Sequence, residues 1–154
     1  MTAAFHIRRA VPADLPALLA LERSAFTTDH LSPRQYRQHL DSPTALVLAA
    51  VDHGGLLGKA VVFFRSDSDV ARLYSIAVAE EARGRGIGEA LLARAERAAH
   101  QRGVTRMRLE VRQDNASAMR LYERRGYLRF AARPGYYEDG ADAWRYEKKL
   151  GRKG

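Results

Sequence analysis

Apolar and polar positions along this chain fall into two distinct rhythms. In "RMRLEVR", Met107, Leu109 and Val111 alternate with Arg106, Arg108, Glu110 and Arg112, the period of two that marks a strand with one buried face. "TALVLAAV" and "LLGKAVVFF" are near-continuous apolar runs around "DHGG", which predicts a hairpin of buried strands. "HIRRA" reads as a short first strand, "ARLYSIAV" as a later one, and "YLRFAA" and "DAWRYEKKL" as the last two. Helical spacing appears in "PADLPALLALERSAF", where Leu15, Leu18, Leu19 and Ala25 recur at three- and four-residue intervals behind Asp14. A longer stripe of Ile87, Leu91, Leu92, Ala95 and Ala99 runs to a stop at Gly103. Ser32 and Pro33 open a short helix that Pro43 bounds, and Asn115 caps a last one closing near Gly126.

The order is α/β: a hairpin first, then β–α–β–α–β, around a central mixed sheet. With 154 residues, the chain fits one domain over residues 1–150, with 151–154 as a loose tail. The absence of cysteine removes disulfides, thiolate zinc sites and any acyl-cysteine intermediate. No apolar run approaches the roughly 20 residues of a membrane span, so a cytoplasmic protein with no membrane partner is expected. The net charge of +8 invites a nucleic-acid reading. Lysine stands only at Lys59, Lys148, Lys149 and Lys153, however, and the arginines are spread along the chain without a helix-turn-helix, zinc-finger or aromatic RNA-binding signature. No direct nucleic-acid function is therefore expected. The scattered histidines have no metal-ligand spacing either.

The sharpest local feature is "RGRGIG". Gly84, Gly86 and Gly88 alternate, whereas the last two glycines of a dinucleotide fingerprint stand three apart, and no Lys-Ser/Thr follows as a Walker loop requires. What remains is a glycine turn running into a helix, where free N–H groups and the positive helix end suit an anion, with Arg83 and Arg85 reinforcing it. A pyrophosphate fits this best; a simple tight turn is the plainer alternative. The pattern alone leaves Glu110 open between a general base and a salt-bridged strand glutamate. Tyr122, in mid-helix, is by itself either a packing residue or an acid.

"IAVAEEARGRGIGEALL" resembles the acetyl-CoA-binding segment of the GNAT superfamily of N-acetyltransferases, with Arg83, Gly86 and Gly88 matching its R/Q-x-x-G-x-G/A core. "LEVRQDNASAMRLYERRGY" and "YYEDGADA" are similar to the bacterial ribosomal-protein-alanine N-acetyltransferases and related amino-terminal enzymes. The likeness is strongest from Leu73 to Ala143. It implies a GNAT fold, a strongly twisted sheet of six to seven strands with about four helices, splayed between residues 72–79 and 105–112.

It further implies acetyl-CoA as cosubstrate, held by the strand matching Ile76, Ala77 and Val78, by the loop Arg83, Gly84, Arg85, Gly86, Ile87 and Gly88, and by Asn115. In the resemblance, Val78 N–H polarises the acetyl carbonyl, Glu110 is the general base, often through water, and Tyr122 protonates the departing thiolate. Phe26, Tyr74, Tyr136 and Tyr137 are the expected acceptor-site residues, with "RPGYYEDG" long enough to overhang the cleft. The expected acceptor is a protein or peptide N-terminus. A small-molecule amine or a Lys side chain is the alternative, and a non-catalytic acetyl-CoA-binding module the remaining one. A monomer and a homodimer through the terminal strands both remain open.

Overall fold

The protein is described here from a computed structural model, covering residues 4–26 and 29–151. Residues 152–154 of the expected tail lie outside the described residues. The strands are β1 (His6–Arg9), β2 (Ala45–Asp52), β3 (Gly55–Phe63), β4 (Val70–Val78), β5 (Arg106–Arg112), β6 (Leu128–Arg133) and β7 (Ala143–Lys149). The helices are α1 (Leu15–Ala25), α2 (Pro33–Leu40), α3 (Ile87–Gln101) and α4 (Ala116–Arg124). One sheet runs β1-β2-β3-β4-β5-β7-β6, antiparallel throughout except for the parallel pair β4/β5. The expected mixed sheet and helix count are borne out.

Local chemistry explains the borders. Ser32 Oγ accepts from Gln35 N (3.1 Å) while Gln35 Oε1 accepts from Ser32 N (2.8 Å), a reciprocal cap behind Pro33 that starts α2. The β2–β3 turn closes on Asp52, whose Oδ1 accepts Gly54 N at 2.8 Å. The first expected helix splits: Pro12–Asp14 form a 3₁₀ turn, and Asp14 accepts Val11 N (2.8 Å) and grips Arg8 (2.7 and 2.9 Å). Asp14 thus ties β1 to α1.

Two apolar layers fix the sheet. On one face, Leu91, Leu92, Ala95 and Ala99 of α3 are fully buried in a cluster with Val62, Leu73, Met107 and Leu109. At about 1.5–3 kcal/mol per buried large side chain, this face dominates stability, and Leu91→Ala alone should cost about 2–5 kcal/mol. Leu18, Leu31 and Tyr36 pack over Val47, Ala49 and Val61 on the other face, under α1 and α2.

The feature that makes a site is in the middle of the sheet. β4 and β5 pair only from Val70/Arg106 to Leu73/Leu109, then part. The splay therefore begins at Tyr74 and Glu110, later than the expected start. Tyr74 is also an extra residue in β4, because Val62 pairs with Leu73 and Val61 with Ser75. Such a bulge re-aims the strand beside it. No described helix is long and apolar enough to cross a membrane.

Candidate functional site

A cleft of about 480 Å³ fills the splay. Ala79 N bonds to Leu57 O of β3 at 2.8 Å, and by alternation the N–H groups of Ile76 and Val78 face the opposite way, toward the departed β5. Two unspent donors therefore look into the opening. Ala77, between them, is buried and locks the strand to the core.

Beyond β4, a 3₁₀ turn (Glu80–Ala82) leads into the glycine loop. Gly84 (φ 82°) and Gly86 (φ 76°) take left-handed backbone, which explains glycine at both. The first intrahelical bond of α3 is Ala90 N to Gly86 O at 3.0 Å, so the N–H groups of Gly86, Ile87, Gly88 and Glu89 are unspent within the helix. Ile87 plugs the core, and a Cβ on Gly88 would sit 3.6 Å from Leu121 and Val78. Arg83 is exposed and makes no ion pair with a described residue. Arg85 Nη1 lies 3.6 Å from Asp52 Oδ2 and its guanidinium over Phe5, so its side chain also braces the β2–β3 hairpin.

The other wall is α4. Asn115 Oδ1 accepts Ala118 N at 3.1 Å, capping the helix, while its amide N is left for the cleft that the residue lines. Seven residues on, Tyr122 is 5% exposed, edge-on to Tyr127, and its ring reaches the same cleft. Burial first, then neighbouring Tyr137, holds its phenol above the ordinary tyrosine range. Its hydroxyl makes no hydrogen bond to any described residue.

On the floor, both readings of Glu110 meet. Its carboxylate is 4% exposed and ion-paired with Arg72 (2.7 Å) and Arg145 (3.2 Å), yet it lines the cleft. Oε1 accepts Arg72 Nε (2.9 Å) and Tyr136 O–H (3.3 Å) and lies 2.7 Å from Arg72 Nη2, whereas among the described residues Oε2 accepts only Arg145 Nε. Arg72 also donates to the Tyr136 hydroxyl. A carboxylate has about four lone-pair sites, so Oε2 retains one for a water or a substrate proton.

The roof comes from two loops. Arg112 holds Asp139 bidentately (2.8 and 3.2 Å), presenting Tyr136 and Tyr137, whose rings meet edge-to-face at 4.9 Å. Asp29 N donates to Glu138 Oε2 (3.2 Å) and Glu138 N to Asp29 Oδ2 (3.2 Å), joining the segment after α1 to the β6–β7 loop. Phe26 and Tyr74 line the cleft beneath. Burial raises the phenols of Tyr74, Tyr136 and Tyr137.

Sequence reasoning missed Arg72, Arg145, the buried pair Glu22 and Lys59, and the half-buried Ser75 beside them. The one available signal was misplaced charge: Glu22 stands on the apolar stripe of α1, and Lys59 inside the apolar run of β3.

The acetyltransferase (GNAT) family model matches residues 15–127. A provisionally named ribosomal protein bS18-alanine N-acetyltransferase of Bacillus subtilis (strain 168) is 31% identical over 84% of this chain and 85% of its own. An uncharacterised N-acetyltransferase of Methanocaldococcus jannaschii is 35% identical over 89% of this chain and 86% of its own. Among solved structures, the ribosomal-protein-S18-alanine N-acetyltransferase of Escherichia coli superposes with a TM-score of 0.86 at 28% identity, covering 98% of this chain and 97% of that one.

Proposed function

This chain belongs to the acetyltransferase (GNAT) family, and we propose that it moves the acetyl group of acetyl-CoA to the N-terminal α-amine of a protein or peptide, by direct attack in a ternary complex. The observation that carries the reading is the meeting of Tyr122, Glu110 and the unspent edge of β4 at one cleft. The residues fit the cosubstrate. The free amides before Ala90 and Arg83, which pairs with no described residue, suit a pyrophosphate, the N–H groups of Ile76 and Val78 suit an extended arm with a carbonyl, and Asn115 has an amide to spare.

When bound, acetyl-CoA supplies the thioester, whose C–S bond breaks as the amine forms the new C–N bond. Val78 N–H faces the place where carbonyl charge grows. Glu110 Oε2, with its one open lone pair, takes the amine proton through a water. Tyr122 gives its proton to the departing thiolate, and its raised pKa keeps that proton in place until then. An amine that is partly neutral at working pH asks little of a base. An α-amine titrates at about 7.7–8.0, against about 10.4 for a Lys side chain. The ribosomal-protein-alanine activity named for two of the relatives supports the same acceptor class.

The test is incubation with acetyl-CoA and short peptides of varied first residue, each carrying an internal Lys, with mass spectrometry locating the acetyl group. Acetyl on the first nitrogen is expected. Acetyl confined to the Lys side chain would move the assignment to that acceptor.

A further inference from the structure

Lys59 is fully buried, an expensive place for an ammonium ion. Its Nζ donates to Glu22 Oε1 (2.8 Å) and to Ser75 Oγ (2.8 Å) and lies 5.3 Å from the Phe26 ring and 5.4 Å from the Tyr36 ring. Glu22, 3% exposed, also accepts Tyr36 O–H (2.6 Å) and Leu31 N (3.0 Å). Two elements, α1 and β3, thus commit charged groups to one point under the cleft, and β4 adds the Ser75 hydroxyl. Buried ion pairs rarely stabilise more than apolar residues of the same volume. Stability alone does not explain this one.

Counting protons shows what the pair does to Ser75. An ammonium has donors and no acceptor, so Ser75 Oγ is necessarily the acceptor of the Lys59 bond. The serine's own hydrogen is then left to donate, and no described residue receives it. Ser75 lines the cleft between the Tyr74 bulge and Ile76. The Tyr136 hydroxyl is spent on Glu110, and no hydrogen bond within the described residues orients those of Tyr74 and Tyr137. Ser75 is the cleft hydroxyl whose direction a buried cation fixes.

We propose that Ser75, positioned by Lys59, reads the acceptor: its hydroxyl donates to the carbonyl oxygen of the first residue, three bonds from the reacting nitrogen. This rests on the reading of the acceptor as a peptide N-terminus. A Lys side chain or a simple alkylamine has no oxygen at that distance from its nitrogen, so the contact selects α-amino acyl groups. A site built to hydrogen-bond an oxygen discriminates against its absence, because the donor is otherwise left unpaired.

The experiment compares kcat/KM for a tripeptide amide and for its alkene isostere, in which C=C replaces the first amide bond. The wild-type protein should prefer the amide by about tenfold. Ser75→Ala should lose that preference through the amide alone, and Ser75→Thr, which keeps the hydroxyl, should retain it. Lys59→Met combined with Glu22→Gln, which leaves no unpaired charge, should lose the same preference, with no further loss when Ser75→Ala is added. Acetyl-CoA affinity by calorimetry should be unchanged in Ser75→Ala. Equal loss on both substrates, or a preference that survives Ser75→Ala, overturns the inference while the α-amine reading stands. A wild-type protein that turns over no peptide α-amine overturns that reading and the inference with it. If the Lys59/Glu22 pair does not fold, the three Ser75 forms still decide.

Discussion

The two sides of the cleft are built from different materials. The proposed donor side is backbone: splayed N–H groups, two left-handed glycines and the unspent first turn of α3, all seated on an apolar layer. The proposed acceptor side is charged side chain: Glu110 between Arg72 and Arg145, Glu22 on Lys59, and Asp29 against Glu138. Backbone donors are fixed by the fold and cannot drift. Side-chain networks can be rewired by single substitutions. A family that keeps one cosubstrate while changing acceptors is well served by that division.

The comparison breaks most severely where a buried charge loses its partner. Lys59→Met alone leaves the buried Glu22 without its cation, and should cost about 3 kcal/mol by denaturant unfolding. Adding Glu22→Gln should recover most of that. If the single variant is as stable as wild type, the acceptor side is not held by its charges, and the contrast fails. Next in size is Tyr122→Phe. Its hydroxyl has no bond to a described residue, so stability should hold while kcat falls about a hundredfold, with acetyl-CoA affinity unchanged. The raised Tyr122 pKa also sets a sign. The group stays protonated through the ordinary tyrosine range, so the wild-type rate should rise as the amine deprotonates and show no fall up to about pH 10. An alkaline limb near pH 9 that Tyr122→Phe abolishes would contradict its burial.

The same division explains what could be read from the sequence. Gly84 and Gly86 announce themselves because only glycine tolerates their backbone cheaply, and the alternation of β5 gave Glu110 its face. The strands, the helices and the caps at Ser32 and Asn115 follow from local periods of this kind. The acceptor side has no local period. Glu110 lies 38 residues from Arg72 and 35 from Arg145, and Asp29 lies 109 from Glu138, so only the sheet order brings them together. The contact of Arg85 with Asp52 was hidden for the same reason: Asp52 sits at the end of β2, more than a whole strand and loop earlier. The start of the splay at Tyr74 was likewise invisible, since a bulge is a property of two strands in register.

A smaller effect is expected at Glu110, and its pH dependence is the informative part. If Glu110 takes the proton through water, Glu110→Gln should cost about tenfold in kcat/KM near pH 6.5, where the α-amine is mostly protonated, and only a few-fold near pH 9. A loss of constant size across that range would leave Glu110 a salt-bridged strand residue that merely holds Arg72 and Arg145 in place.

The smallest effect belongs to Arg83, and it tests the donor side directly. Its guanidinium is exposed and pairs with no described residue, so Arg83→Ala should leave the unfolding midpoint unchanged. At an exposed site one charge contributes little and is screened by salt, so KM for acetyl-CoA should rise about fivefold at low ionic strength and less at high. The rest of the affinity should survive, because the amides from Gly86 to Glu89 and the edge of β4 stay where the backbone puts them. A hundredfold rise, or one indifferent to salt, would mean that a side chain carries the donor site too, and the two walls of the cleft would then differ in sequence but not in kind.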